Sequence, residues 1–207
     1  MKKLLLLGDY KNAQWHPLRG VDEEIKRILE GFEITITEEY PYLKLEDMQA
    51  YDLMINCIDA FDRRVGADFA GALIGYVAAG GALLALHNGI IAHSLPEVEQ
   101  MIGGAFTGHP EHEVLAYVQA GAHPIMNAVG SFSMDEEPYQ FDMDNLARVN
   151  VIMEYVYHGE KYPAAWVRGV GKGKVCYLSM GHNQASFENE GFSVLLRRSA
   201  LWCVDEL

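Results

Sequence analysis

Four short runs decide what this chain can fold into. Lys3–Leu7, Glu33–Glu38, Tyr51–Ile58 and Ala82–Leu86 are each too brief for a buried helix, and turn residues or charges bound them. Segments of helical periodicity lie between them: Val21, Ile25, Ile28 and Leu29 recur at helical spacing before Gly31, and Ala67–Ala79 is a small-residue helix closed by Gly80-Gly81. Strands spaced by helices pair in parallel through right-handed crossovers, which puts helices on both faces of an open sheet. The pattern predicts an α/β chain, doubly wound in its first half. After Gly103 come glycine and proline punctuation, a short run Val114–Val118 and an acidic stretch, Met134–Asp144, that reads as loop. Strand-like runs at Val149–Tyr157, Ala164–Arg168 and Lys174–Ser179 precede a closing helix over Phe192–Val204.

At 207 residues, half of them hydrophobic, the expectation is one domain, 1–207, around one well-buried core. The formal charge is -13 and no stretch gathers Lys and Arg, so neither nucleic acid nor an anionic membrane is expected as a partner. Leu4–Leu7 is far shorter than the apolar core of an export signal, and no run is long enough to span a membrane. The three cysteines, Cys57, Cys176 and Cys203, form no CxxC and suit buried packing in a reducing cytoplasm. Apolar strips on the edge helices would suit either homo-oligomer contacts or cover by loops.

Ligands of open α/β sheets bind beyond the carboxyl ends of the strands. Three histidines fall there: His16 after the first strand, His87 after the fourth, and His182 after Lys174–Ser179. The His87 stretch, Ala85-Leu86-His87-Asn88-Gly89, reads as a sharp elbow from strand into a helix beginning near Ile90, which would lift the apex side chain out of the core. Histidine can act there as a base or a metal ligand but is an unusual covalent nucleophile. A carboxylate from Glu136 or Glu137, with Glu137 preferred, would complete an acid/base set or a divalent metal site, zinc being the natural ion for nitrogen and oxygen donors. His109 in Gly108-His109-Pro110 assists, and Trp15, Tyr139, Asn88 and Asn183 are candidate substrate contacts, with Phe106 and Phe187 also flanking the polar residues. His112, His123 and His158 carry no such placement.

The strings Pro163-Ala164-Ala165-Trp166-Val167-Arg168, Gly171-Lys172-Gly173-Lys174-Val175, Gly181-His182 and Ser186-Phe187-Glu188-Asn189 resemble the ThuA-like family of trehalose-utilisation proteins. So do Gly103-Gly104-Ala105-Phe106 with Gly108-His109-Pro110, Asp135-Glu136-Glu137-Pro138-Tyr139 and the His87 elbow, in the family's order. The resemblance implies a flavodoxin-like three-layer α/β/α sandwich with a mostly parallel sheet, of the class I glutamine amidotransferase-like superfamily. It also implies work on trehalose or keto-disaccharides. Amidotransferases carry a cysteine at the elbow apex, whereas His87 stands here, so glutamine hydrolysis is not expected. The leading expectation is a small-molecule carbohydrate enzyme of hydrolase, lyase or isomerase type. On this reading His87, His182 and Glu137 are catalytic, and His16, His87 and His182 are the metal ligands. The alternatives are a non-catalytic sugar-binding or regulatory module and a metal-dependent hydrolase outside sugar metabolism.

Overall fold

The computed structural model describes residues 1–59 and 61–207. The first half runs β1 (Lys3–Gly8), α1 (Val21–Ile28), β2 (Glu33–Thr37), α2 (Leu45–Met48), β3 (Leu53–Cys57), α3 (Phe61–Arg64), α4 (Ala67–Ala79), β4 (Ala82–Leu86) and α5 (Pro96–Ile102). The second half runs β5 (Gly104–Gly108), β6 (Glu113–Gln119), β7 (Phe132–Glu136), β8 (Gln140–Met143), β9 (Asn150–Tyr157), β10 (Glu160–Val170), β11 (Gly173–Leu178), α6 (Gln184–Glu188) and α7 (Glu190–Cys203).

Nine strands form one sheet in the order β2-β1-β3-β4-β11-β10-β9-β6-β7, and β5 with β8 forms a separate pair. The first five are mutually parallel and the last four continue by antiparallel pairing, so seven of the nine (all but β10 and β6) point the same way. The five parallel strands have the 2-1-3-4-5 order of a flavodoxin-like sheet, counting β11 as the fifth.

The unbroken apolar runs follow from this architecture. Successive strand residues face opposite ways, and both faces are covered. Leu4 and Leu6 therefore pack with Val21 and Ile25 of α1 and Leu195 and Leu196 of α7, while Leu5 and Leu7 pack with Phe69 and Leu73 of α4 and Val98 and Ile102 of α5. These are the outer layers of a three-layer α/β/α sandwich.

Two segments differ from expectation. The acidic stretch 134–144 is not a loop: it holds the end of β7 and the whole of β8 around a three-residue turn. Its alternation is hidden because Met134 and Glu136 are the buried residues of β7, so a carboxylate occupies an inward position normally apolar. The elbow, in turn, leads into a single 3-10 turn, His87–Ile90, and α5 begins only at Pro96, whose fixed φ suits a first helical turn.

A candidate metal centre at the strand ends

The parallel order places four neighbouring strands, β1, β3, β4 and β11, with their carboxyl ends on one rim. The residues that follow them are His16, Asp59, His87 and His182. A fifth contributor, Glu137, comes from the turn between β7 and β8.

His87 has φ +45, a conformation a non-glycine residue adopts only under constraint. The constraint is visible: the Asn56 side chain donates to the Gly89 carbonyl at 2.7 Å, and the Tyr177 hydroxyl donates to the His87 carbonyl at 3.0 Å. A side chain at Gly89 would meet the Asn56 carbonyl oxygen at 2.1 Å, so only glycine fits. The imidazole is not lifted clear of the core as the elbow suggested. It is fully buried and stacked on Tyr139 with ring centroids 4.1 Å apart.

The rings of His16, His87 and His182 converge, with centroid separations of 4.9, 5.0 and 5.3 Å. Glu137 Oε2 faces all three, at 3.1 Å from His87 Nε2, 3.2 Å from His182 Nδ1 and 3.8 Å from His16 Nε2. The far nitrogens are held from outside. His87 Nδ1 donates to the Ser179 carbonyl at 2.7 Å, and His16 Nδ1 donates to Asp59 Oδ1 at 2.6 Å. Because a carbonyl only accepts, His87 Nδ1 carries a proton, and Nε2 is turned toward the carboxylate.

Electrostatics sharpen the picture. Burial outweighs the pull of Glu137 and holds the His87 pKa below its ordinary value, while Asp59 and Glu137 outweigh burial at His16 and raise it. Burial works against both carboxylates, yet His16 with the Trp15 and Gln14 amides draws Asp59 down to about 2. His16, His182 and His87 hold Glu137 well below the carboxylate range. His87 Nε2 and Glu137 Oε2 face each other at 3.1 Å. His16 Nε2 and His182 Nδ1 are buried and make no hydrogen bond among the described residues. One donor atom from each of His16, His87, Glu137 and His182 lies within 4.8 Å of the others, and this donor set fits a divalent cation such as zinc. The Nδ1 contacts to Asp59 and Ser179 are the outer partners that metal-bound histidines characteristically keep.

Above the centre opens a pocket of about 700 Å³. Trp15, Arg63, Ile91, Phe106, His109 and Tyr139 wall it. Of the substrate contacts expected from the sequence, Trp15, His109 and Tyr139 line this pocket; Asn88 and Asn183 do not. The Asn88 amide donates to the Cys57 carbonyl, and Asn183 caps α6 by accepting from the Ala185 amide. Phe187 is fully buried in the core and plays no part in the wall.

His112, set aside in the sequence, joins the cluster: its ring lies 4.6 Å from that of His182, and its Nε2 is 3.5 Å from Glu137 Oε1. Asp59 was also missed, although the strand-end rule that picked out the three histidines applies equally to β3. Glu136 and Glu137 divide their labour. Glu136 is fully buried and accepts the Gly181 and His182 amides and the Ser186 hydroxyl, which aims the His182 turn, while Glu137 faces the histidines.

Solved structures share this fold. A ThuA-like protein from Bacteroides uniformis is 18% identical, with TM-score 0.81 over 98% of this chain and 91% of that one. A cytoplasmic protein from Salmonella typhimurium LT2 is 14% identical, with TM-score 0.68 over 97% of this chain and 99% of that one. A β-galactosidase from Rahnella sp. R3 is 16% identical, with TM-score 0.70 over 97% of this chain but only 32% of that one. A search of curated proteins finds no match. The family model for ThuA, described as trehalose utilisation, matches residues 9–203 and spans every strand-end residue of the centre. The chain belongs to the ThuA family.

Proposed function

We propose that this chain is a cytoplasmic enzyme acting on trehalose or a keto-disaccharide through a divalent metal, zinc foremost, held by His16 Nε2, His87 Nε2, His182 Nδ1 and Glu137 Oε2. The observation that carries the reading is the convergence of one donor atom each from His16, His87, Glu137 and His182 within 4.8 Å, with His16 Nε2 and His182 Nδ1 buried and without a hydrogen bond among the described residues. When bound, such an ion supplies Lewis-acid polarisation of a substrate oxygen and acidifies water.

The chain's own groups then do the binding and orienting. Phe106, backed by the buried ring of Tyr139 at 4.3 Å between centroids, and the exposed ring of Trp15 offer flat apolar surfaces to the C–H faces of a sugar ring. His109 donates from Nδ1 to the Pro110 carbonyl at 2.8 Å and turns its Nε2 to within 3.7 Å of Glu137 Oε1, where it would meet a substrate hydroxyl at the pocket wall. The three free thiols are all buried, as suits a reducing compartment.

The test has two arms. Protein stripped with chelator and reloaded is assayed for bound zinc by elemental analysis, and conversion of trehalose and its keto derivative is followed by NMR. The expected result is about one zinc per chain and conversion by the wild type, with His87→Ala and His182→Ala losing both while melting near the wild type. No metal retained, or turnover unaltered in either variant, overturns the proposal. Sugar-induced thermal stabilisation without conversion would instead favour a non-catalytic binding module.

A further inference from the structure

We infer that Asp59 couples the metal centre to the aromatic wall of the pocket, one carboxylate oxygen fixing the ring of His16 and the other holding the backbone amides of Gln14 and Trp15. The inference rests on the metal reading above and extends it to a residue outside the ligand set.

The geometry is divided cleanly between the two oxygens. Oδ1 receives the His16 Nδ1 proton at 2.6 Å, the length of a charge-assisted contact. Oδ2 receives the Trp15 amide at 3.0 Å and the Gln14 amide as well. One carboxylate therefore ties together a ligand nitrogen's opposite edge and the segment that carries Trp15, whose side chain is 69% exposed at the pocket mouth.

Asp59 is held from below, so it transmits position instead of drifting with its loop. Its amide donates to Oδ2 of Asp9 at 3.2 Å, and Asp9 is itself fully buried, accepting from the Tyr40 hydroxyl and from Arg64 Nη1, each at 2.8 Å. The start of the β1–α1 loop, which carries His16, is pinned separately, by Glu38 accepting the Tyr10 and Lys11 amides at 2.8 and 2.9 Å. Asp59 holds the 14–16 stretch, with Arg63 donating to the Gln14 side-chain oxygen at 3.1 Å beside it. A cation drawing electron density from His16 Nε2 makes the Nδ1 proton a stronger donor, tightening its bond to Asp59 and with it the stretch that bears Trp15. Asp59 is thus a positioning residue: it acts on the cation site through the ring of His16.

Cobalt(II) serves as a visible probe for the same donor set. It is titrated into wild type and Asp59→Asn, and hydrogen exchange of the peptide spanning residues 14 and 15 is followed with and without the ion. Wild type should bind cobalt, and the exchange of that peptide should slow. Asp59→Asn should bind roughly 10- to 100-fold more weakly with an altered visible absorption spectrum, and its exchange should no longer respond to the ion. A variant with wild-type affinity and spectrum, or a wild-type peptide indifferent to cobalt, overturns the coupling while leaving the metal centre intact. Should Asp59→Asn fail to fold, the wild-type exchange measurement decides alone. Failure of wild type to bind cobalt and zinc removes both this inference and the function it rests on.

Discussion

His87 holds a backbone conformation that costs about 1–3 kcal/mol for a side chain with a Cβ. The turn around it is over-determined by Asn56, Tyr177 and the close approach of Gly89 to a carbonyl oxygen. Gly89→Ala should therefore destabilise by about 1–3 kcal/mol, read from urea midpoints, and should weaken zinc binding as the His87 ring shifts. Glu136 is the second such residue. Truncation in Glu136→Ala strands three buried donors and should cost about 2–4 kcal/mol; an unchanged urea midpoint would show the turn at Gly181 to be held by other means. The thiols behave oppositely, as inert packing: burial alone pushes Cys57 up to about 12, and it is the largest effect at Cys176, also up to about 12. Cys203 is raised as well, by burial first. A thiol reagent such as DTNB should label none of the three in the native protein at pH 8 and all three in denaturant.

Among the elements, β10 has a part that its distance from the histidines conceals. Its Trp166 is fully buried, donates to the Ile102 carbonyl at 2.8 Å, and lies 4.4 Å from Tyr177 and 5.1 Å from Phe141 of β8 between centroids. Through Phe141 the antiparallel half of the sheet supports the β5–β8 pair, which carries Phe106 and is followed and preceded by His109 and Tyr139. Trp166→Ala should cost about 3–5 kcal/mol by urea unfolding. It should also raise the KM for any sugar turned over more than it lowers kcat, because it loosens the wall through Phe141 and reaches the His87 turn only at one remove, through Tyr177. A proportional fall in kcat instead would place β10 closer to the chemistry than its contacts indicate.

For the molecule as a whole, the proposed centre draws its donor atoms from segments that unfolding scatters over more than 160 residues of chain, so the unfolded state has no comparable site. Binding of an ion then stabilises by mass action. At a hundredfold excess over Kd the gain is about 2.7 kcal/mol. For a chain of this size that corresponds to a rise in melting temperature of roughly 5–10 °C, reversed by chelator. A melting curve indifferent to zinc would count against the centre. Among the described residues no helix is long and apolar enough to cross a membrane.

What could be read in advance was whatever depends on short-range pattern. Ala67–Ala79 and Ala82–Leu86 were legible to the residue, because a small-residue helix and a two-faced buried strand each impose a period on consecutive positions. The strand-end rule likewise picked out His16, His87 and His182, since the parallel order alone puts those ends on one rim. The turn that brings Glu137 to the cluster was not legible. It depends on β7 joining the far edge of the sheet with a carboxylate turned inward, and Glu136 disguises that strand as an acidic loop. Nor could the sequence place His112 and Asp59 beside the cluster, or Asn88 outside the pocket lining. Those distinctions are set by which atoms lie within 3 or 4 Å after folding, and separations along the chain say nothing of such distances.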